Sequence, residues 1–287
     1  MKKLLSLVLA AVLVLTGCTA AGSSTASSAA QSGDAASSQP ASAGTGTVSL
    51  PETLVYDADG ITITATGLDM QGFLGPTISF LIENDSAQNI IVQTDGCAVD
   101  GWMTDVTFSC DVAAGKKAND ELTLLPDTLT ASYIAAPHEI QLVLTILDDS
   151  YQTIVKTDPV ALTTDAPAPT FSAPAGESVY EDEALRVLHL GTADSLLGQG
   201  VSLYLENNGT EPIVVTSQDV SVDGFMVTDS LYAQVWPGAR KISTLTLLND
   251  SSGGAPADGG DVTFSLHLFN PDDLLDQSEL GPFTVAL

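Results

Sequence analysis

The chain has few of the features that usually reveal a protein's chemistry. Only eight of its 287 residues are basic, against 36 acidic ones, and only three are histidines. It contains no G-x-S-x-G or H-E-x-x-H motif, so no local signature of a hydrolase is present. A surface this acidic repels nucleic acid and anionic lipid, which makes both poor partners. No apolar run approaches the roughly 20 residues of a membrane-spanning helix, so none is expected.

The N-terminus has the pattern of an export signal. Lys2 and Lys3 precede an apolar run, Leu4 to Leu15, of the length of a signal-peptide core. Leu15-Thr16-Gly17-Cys18 follows directly and resembles the lipobox of bacterial lipoproteins. The resemblance implies that residues 1–17 are removed as a signal peptide and that the Cys18 thiol carries a diacylglyceryl group. Two or more acyl chains on one residue anchor a soluble domain stably. An ordinary secretory signal followed by a chance cysteine is the alternative.

Residues 18–47 follow the signal as a flexible linker. They are mostly Ser, Ala, Gly and Thr, without the large apolar side chains that build a core. A coil of this length spans roughly 30 Å and would hold the folded part off the membrane. Since Lys2 and Lys3 leave with the signal, the mature chain has a net charge near −30.

The remainder of the chain consists of two similar copies of one sequence. Residues 77–125 align with residues 200–248 without a gap, at a constant offset of 123, so that "VDGWM" (99–103) matches "VDGFM" (222–226). A period this long indicates tandem domains, because the units of a solenoid run roughly 20–50 residues. We predict one domain over 48–163, a Pro-rich, semi-rigid linker over 164–176 and a second domain over 177–287.

The sequence of each copy predicts a set of short strands. Runs rich in β-branched residues alternate with turn residues, about seven runs in about 115 residues, and no segment shows a capped, amphipathic helical period. This pattern predicts an all-β fold of two tandem immunoglobulin-like β-sandwiches. In the first copy the predicted strands are 61–64, 78–82, 90–93, 106–112, 122–125, 140–147 and 160–162.

The recurring phrase predicts the same hairpin in both copies. Asp-Gly between apolar residues is a strong hairpin signal, because both turn residues must take positive φ. With Asp100-Gly101 as the turn, Val99 and Trp102 face each other across the strands. Val222 and Phe225 repeat this pair around Asp223-Gly224.

The repeated unit resembles a domain of exported lipoproteins of Firmicutes. The residues that carry the resemblance are Asn84, 99–103 (VDGWM), Val112, 115–117 (GKK) and 158–160 (DPV). The second copy departs from the pattern at Ala239 and at 281–283 (GPF). The resemblance implies an extracellular immunoglobulin-like domain of a family without established activity, so it implies no catalytic residues.

Several residues are candidates for chemistry, each with a structural alternative. Cys97 and Cys110 are in a compartment that permits a disulfide. The hairpin register, however, places them nearly 20 Å apart at about 3.3 Å per residue, unless a bulge or an early strand switch intervenes. Two lone cysteines also make a poor zinc site. His138, His189 and His267 have no counterparts in the other copy and no motif partner, which favours isolated structural histidines.

Acidic, basic and aromatic residues recur at matching places. The acidic turns 57–60 and 181–183 suggest either a calcium site or plain turns, and they lack the further carboxylates of a calcium loop. Four basic residues cluster at one repeated turn and suggest either binding of an anionic envelope polymer or protection of an edge strand. The aromatic residues suggest either sugar-stacking platforms or core packing. The possible contact residues are therefore Lys116, Lys117, Arg240, Lys241, Trp102 and Phe225, with Trp236 as a further aromatic.

Together these observations predict a cell-membrane protein, lipid-anchored and facing the extracellular side. Its predicted role is non-catalytic, binding or spacing through the duplicated sandwiches, with no metal and no cofactor. The expected partners are the membrane, through the lipid, and a cell-envelope polymer or another surface protein. The alternatives are a hydrolase, or the accessory subunit of one, on an envelope substrate, and a calcium-dependent adhesion module.

The lipobox interpretation predicts that Cys18→Ser abolishes anchoring. The variant should lose metabolic labelling with a radioactive fatty acid and move from the detergent phase to the aqueous phase in a phase-partition assay, because the acyl chains need the thiol. Cys110→Ala, the control, should keep the label. Labelling of the Cys18→Ser chain would show that the signal is not a lipobox.

Overall fold

A computed structural model describes residues 48–132, 134–195, 197–248 and 260–287. The predicted signal peptide, the Cys18 lipidation site and the linker to residue 47 lie outside the described residues. The described chain is almost entirely β, so the predicted all-β class is confirmed. Within those ranges one helix occurs, α1 (Pro126–Ala131). Pro126 suits its first turn because the missing N–H would have no partner there, and Leu129 is buried.

Repeat 1, residues 48–163, contains eleven strands in chain order. They are β1 (Thr53–Ala58), β2 (Ile61–Asp69), β3 (Thr77–Asn84), β4 (Ile90–Val99), β5 (Trp102–Met103), β6 (Val106–Thr107), β7 (Ser109–Val112), β8 (Lys116–Leu124), β9 (Glu139–Leu147), β10 (Thr153–Lys156) and β11 (Val160–Thr163).

Repeat 2, residues 177–287, contains strands that follow the same plan. They are β12 (Glu177–Glu181), β13 (Leu185–Ser195), β14 (Gly198–Asn207), β15 (Ile213–Val222), β16 (Phe225–Met226), β17 (Asp229–Ser230), β18 (Tyr232–Val235), β19 (Arg240–Leu247), β20 (Asp261–Asn270) and β21 (Asp273–Ala286).

The strands form three sheets, and the central sheet belongs to both repeats. The first sheet has the order β1-β2-β3-β8-β6, and the third has the order β16-β15-β20-β21 with β18 also on β15. The second runs β10-β9-β4-β5-β19-β14-β13-β12, with β11 on β9, β7 on β4 and β17 on β19. Repeat 1 supplies its first part, through β5, and repeat 2 supplies the part from β19 onward.

Alternating side chains build a separate core in each repeat. In β2 the residues Ile61, Ile63 and Ala65 are buried while their neighbours are partly exposed, as the period of a one-sided strand requires. Ile78, Phe80 and Ile82 of β3 pack in the same cluster, whose members all lie in repeat 1. A second cluster fills repeat 2 and also takes in three residues of repeat 1, Ala98, Met103 and Val143.

The two predicted hairpins are confirmed in both turn geometry and register. Val99 pairs with Trp102, and Asp100 and Gly101 have φ of 51° and 77°. Val222 pairs with Phe225, and Asp223 and Gly224 have φ of 49° and 82°. Positive φ at both turn residues is the type I′ geometry that matches the twist of the strands.

The predicted single strand over 106–112 is wrong. It divides at Phe108 into β6, which pairs with β8 in the first sheet, and β7, which pairs with β4 in the second. Phe108 packs against Phe80 of the core, with ring centroids 5.3 Å apart, where the chain crosses between sheets. The strand predicted over 122–125 is also longer than expected, since β8 begins at Lys116.

Cys97 and Cys110 are free, buried thiols. Cys110 pairs with Val92, whereas Thr104 N donates to Cys97 O at 2.9 Å, which is the register expected from the hairpin. Burial raises the pKa of both thiols, that of Cys110 to about 12 with a further contribution from Asp120. Both are therefore un-ionised at neutral pH.

One buried asparagine closes the same turn in each repeat. Asn84 Nδ2 donates to Gln88 O at 2.9 Å and to Val112 O at 3.0 Å, and its Oδ1 accepts from Ser86 N at 3.1 Å. Asn207 Nδ2 does the same with Glu211 O and Val235 O. Each amide ties the end of one strand to the following turn and to a strand of the other sheet.

Asn84→Ala should therefore destabilise repeat 1 by about 3 kcal/mol, because the buried carbonyl of Val112 and the partly buried bond to Gln88 O lose their donor. Urea unfolding followed by circular dichroism measures the change. Asn89→Ala is the matched control, since the exposed Asn89 side chain accepts only from Ala114 N at 3.1 Å, and it should cost under about 1 kcal/mol. Equal effects of the two substitutions would contradict the proposed role of Asn84.

Candidate functional site

The sequence-predicted site residues fall in three places. Trp102, Arg240 and Lys241 meet at the junction of the two repeats, although Trp102 is in repeat 1 and the two basic residues are in repeat 2. Lys116 and Lys117 are exposed at the start of β8. Phe225 is exposed at the hairpin of repeat 2. Three of the six side chains therefore converge at the junction.

A short parallel strand pairing joins the repeats. Trp102 of β5 pairs with Arg240 of β19, and Arg240 N donates to Gly101 O at 3.0 Å. Arg240 Nε also donates to Gly101 O, at 3.3 Å. The hairpin that ends the second-sheet strands of repeat 1 thereby continues into four strands of repeat 2, in the order β19-β14-β13-β12, as a strand added to an open edge.

Trp102 is buried, 7% exposed, in an aromatic cluster on the outer face of repeat 2. Its ring lies 5.8 Å from that of Tyr204 and 6.0 Å from that of Phe171, both in edge-on geometry. Leu188 is buried beside it. Burial raises the pKa of Tyr204, and the carboxylate of Glu206 raises it further, so the phenol stays neutral. Leu188, Tyr204 and the partly buried Ile242 form the apolar surface on which the indole packs, and this surface is called the seat below.

Arg240 covers the seat from above. Its guanidinium carbon lies 3.6 Å from the centroid of Phe171 and 5.4 Å from that of Trp102. Phe171 comes from the predicted linker, which therefore contributes to the contact. A planar guanidinium stacks on such rings while it keeps its charge accessible to water.

On the other face of the added strand, Met103 enters the core cluster of repeat 2 together with Trp236. Gly96 allows this close approach, since a Cβ at that position would lie 2.5 Å from Trp236 Cζ2. Repeat 2 has Asp219 at the equivalent position. Gly96 is therefore required by the close approach of Trp236 from repeat 2, and the hairpin of repeat 1 by itself does not require a glycine there.

Ion pairs flank the apolar contact. Lys241 Nζ lies 2.7 Å from Asp105 Oδ1, and its side chain is only 12% exposed. Lys156 Nζ lies 3.0 Å from Asp95 and 3.1 Å from Asp272 of repeat 2. Burial lowers the pKa of Lys156, but hydrogen bonds to the two carboxylates outweigh it, and the pKa is raised.

Two of the cavities beside the junction have ion-pairing residues in their walls. One of about 590 Å³ is lined by residues of both repeats, among them Asp95, Asp105, Asp127 and Lys241. The other, of about 490 Å³, has Lys156 and Trp236 in its wall. In the described part of the chain no group of three or more His, Cys, Asp or Glu side chains is arranged to hold a metal ion.

His138, His267 and the acidic turns make local contacts. His138 Nδ1 lies 2.6 Å from Ala166 O, and His267 Nε2 lies 3.1 Å from Gln277 Oε1. Asp182 Oδ1 accepts from the backbone N–H of Ala184 and Leu185. Asp57 accepts from the Thr62 hydroxyl at 3.2 Å. These contacts bring none of the four side chains to the junction.

Sequence reasoning missed Tyr204, Leu188, Phe171 and Gly96 as junction residues. A usable signal was the unbroken apolar run 203–205 of β14, because a strand buried on both faces loses its alternation. Repeat 1 has Leu81 between Phe80 and Ile82, but Thr64 on the neighbouring strand takes the place of Leu188. The difference between the copies marks the face that repeat 2 buries.

No protein-family model matches the chain, and no curated protein sequence matches it. The likeness to Firmicutes lipoproteins therefore stays a prediction. Among the helices of the residues that the structure describes, none has the length and apolarity needed to cross a membrane.

The junction predicts a sharp contrast between two equivalent aromatics. Trp102→Ala should weaken the contact between the repeats by about 3 kcal/mol, because it empties a buried aromatic site. Phe225→Ala, at the same position of repeat 2, should leave it unchanged because Phe225 is 64% exposed. The measurements are the radius of gyration by X-ray scattering, which should rise for Trp102→Ala alone, and the cooperativity of urea unfolding. Indistinguishable variants would refute the role of Trp102.

Proposed function

We propose that the protein is a lipid-anchored, non-catalytic surface protein that holds two β-sandwiches as one spacer and binds an anionic polymer of the cell envelope. The observation that carries the proposal is that the repeated basic turn has different surroundings in the two repeats. In repeat 2 the turn is used in the junction, through Arg240 and Lys241. In repeat 1 it points into solvent, through Lys116 and Lys117.

The junction supports the spacer role. A strand pairing, a buried indole and two flanking groups of ion pairs connect the repeats, so reorienting one against the other requires exposing Trp102 and Met103. Fully burying a side chain of this size contributes roughly 1.5–3 kcal/mol. Two sandwiches joined in this way hold the far end of the protein at a more constant distance from the tether than two sandwiches joined by a flexible linker would.

The exposed basic turn supports the binding role. Lys117 pairs with Glu83 of the adjacent strand, and its side chain remains 61% exposed. Lys116 is the one basic residue in the described ranges whose side chain has neither an ion pair nor a ring contact there. On a chain with 36 acidic residues, two adjacent lysines form a local positive site for phosphate or carboxylate groups.

Substitution of the turn tests the proposal. Lys116→Gln/Lys117→Gln should reduce sedimentation of the chain with purified cell-wall sacculi that carry phosphate polymers, by about tenfold in affinity at low ionic strength. The loss should shrink as salt is added, since the contact is exposed and screened.

The matched control keeps the turn and makes the same change in net charge. Gln71→Glu/Gln152→Glu also makes the chain two units more negative, at exposed positions outside the turn. It should bind nearly as the parent chain does. Equal loss in both variants would mean that net charge alone governs binding, and unchanged binding of the lysine variant would refute the basic turn as the contact.

A further inference from the structure

The hairpin of repeat 2 presents two apolar side chains that nothing in the described structure covers. Phe225 and Met226 are each 64% exposed. Their equivalents in repeat 1, Trp102 and Met103, are 7% and 5% exposed because they are inserted into the neighbouring sandwich. The same pair of apolar positions is therefore buried in one copy and bare in the other.

The exposed hairpin of repeat 2 already has the backbone conformation of the hairpin in repeat 1, which packs against the neighbouring sandwich. Its two turn residues have the same positive φ angles to within about 5°, and Val227 N donates to Val220 O as Thr104 N does to Cys97 O. The Asp223 carboxylate accepts from Asp261 N at 3.0 Å, as that of Asp100 accepts from Glu139 N at 2.9 Å. Binding through this hairpin would not require the backbone to be ordered first.

We propose that the hairpin 222–226 is a docking element for a further β-sandwich domain of the same kind on another protein. Phe225 and Met226 would straddle an open strand edge of that domain, as Trp102 and Met103 straddle β19. The junction within the chain defines the chemistry of this partner. It offers a free strand N–H to Gly224 O, an arginine at the start of that strand, and an apolar seat equivalent to Leu188 and Tyr204.

A second copy of this chain does not offer such a seat. In its repeat 1 the position equivalent to Arg240 is Lys117, the second residue of β8, whose N–H faces away from β3 by that equivalence. The seat positions there are Thr64, Leu81 and Asn119, in place of Leu188, Tyr204 and Ile242. The seat of its repeat 2 is filled by its own Trp102. The partner is therefore a domain of a different chain, and this inference does not depend on the basic turn.

The chain's own seat serves as the probe of this chemistry. Trp102→Ala/Met103→Ala in the full chain should release the seat of repeat 2, which the Phe225 hairpin of another molecule can then enter. Sedimentation velocity over a concentration series should show reversible association that is absent in the parent chain. Adding Phe225→Ala/Met226→Ala should weaken that association at least about tenfold, as expected for central apolar anchors.

Three results would overturn the proposal. The released variant could stay monomeric at its highest soluble concentration. It could associate equally well without Phe225 and Met226, which would indicate nonspecific exposure of apolar surface. The parent chain could itself associate through Phe225, which would show that the polar surface of repeat 1 suffices and that the seat is not needed. Far-UV circular dichroism establishes that each variant keeps its strands.

A second experiment leaves the junction intact. Residues 164–287 are appended after Leu287, so that the hairpin of the middle repeat faces a complete seat. Phe225→Trp in the middle repeat should give a blue-shifted emission and severalfold weaker quenching by iodide than Phe225→Trp in the last repeat. The two chains differ only in which copy carries the tryptophan. Identical emission and quenching would show that the hairpin does not recognise such a seat, and would refute the proposal.

Discussion

The arrangement of the described chain depends on the insertion of one hairpin into the edge of the next sandwich. An open strand edge carries unpaired N–H and C=O groups that invite other chains, and it has to be covered or protected. Here Gly101 O accepts from Arg240 N, while Trp102 and Met103 pack on opposite faces of the extended sheet. The two-residue strand β5 thus covers the start of β19 and carries two apolar anchors. The ion pairs of Lys156 and Lys241 and the packing of Phe171 all depend on this placement.

Local sequence was sufficient to predict the backbone of that hairpin. Asp-Gly requires positive φ, and the flanking pairs Val99–Trp102 and Val222–Phe225 fix the register, so both turns were predictable from five residues each. The repeat and the β class were predictable for the same reason, because they are contained in spacing and alternation. The packing of Trp102 in the seat of repeat 2 was not predictable. An apolar residue at this position is equally compatible with packing on its cross-strand partner and with packing on a distant apolar surface.

The errors in strand assignment have a related cause. The residues 106–112 have the composition of one continuous strand, and nothing local specifies that Phe108 enters the core and sends the two halves to different sheets. The separation of Cys97 from Cys110 was predictable because it follows from counting along one hairpin. Counting fails wherever a strand changes sheets, because the partner then lies far away in sequence.

The two repeats differ in chemistry at the position where one has Lys117 and the other Arg240. Both residues lie at equivalent register positions near the start of their strands and both carry one positive charge, but the contacts they make require different groups. Arg240 stacks on Phe171 and reaches Trp102, which a planar, weakly hydrated guanidinium does at little desolvation cost. The Lys117 ammonium is compact and strongly hydrated, and it stays in solvent beside Glu83. An arginine therefore suits the covered edge and a lysine the open one, so the chemical difference between two like-charged residues matches the division of the duplicated turn into an internal contact and an external surface.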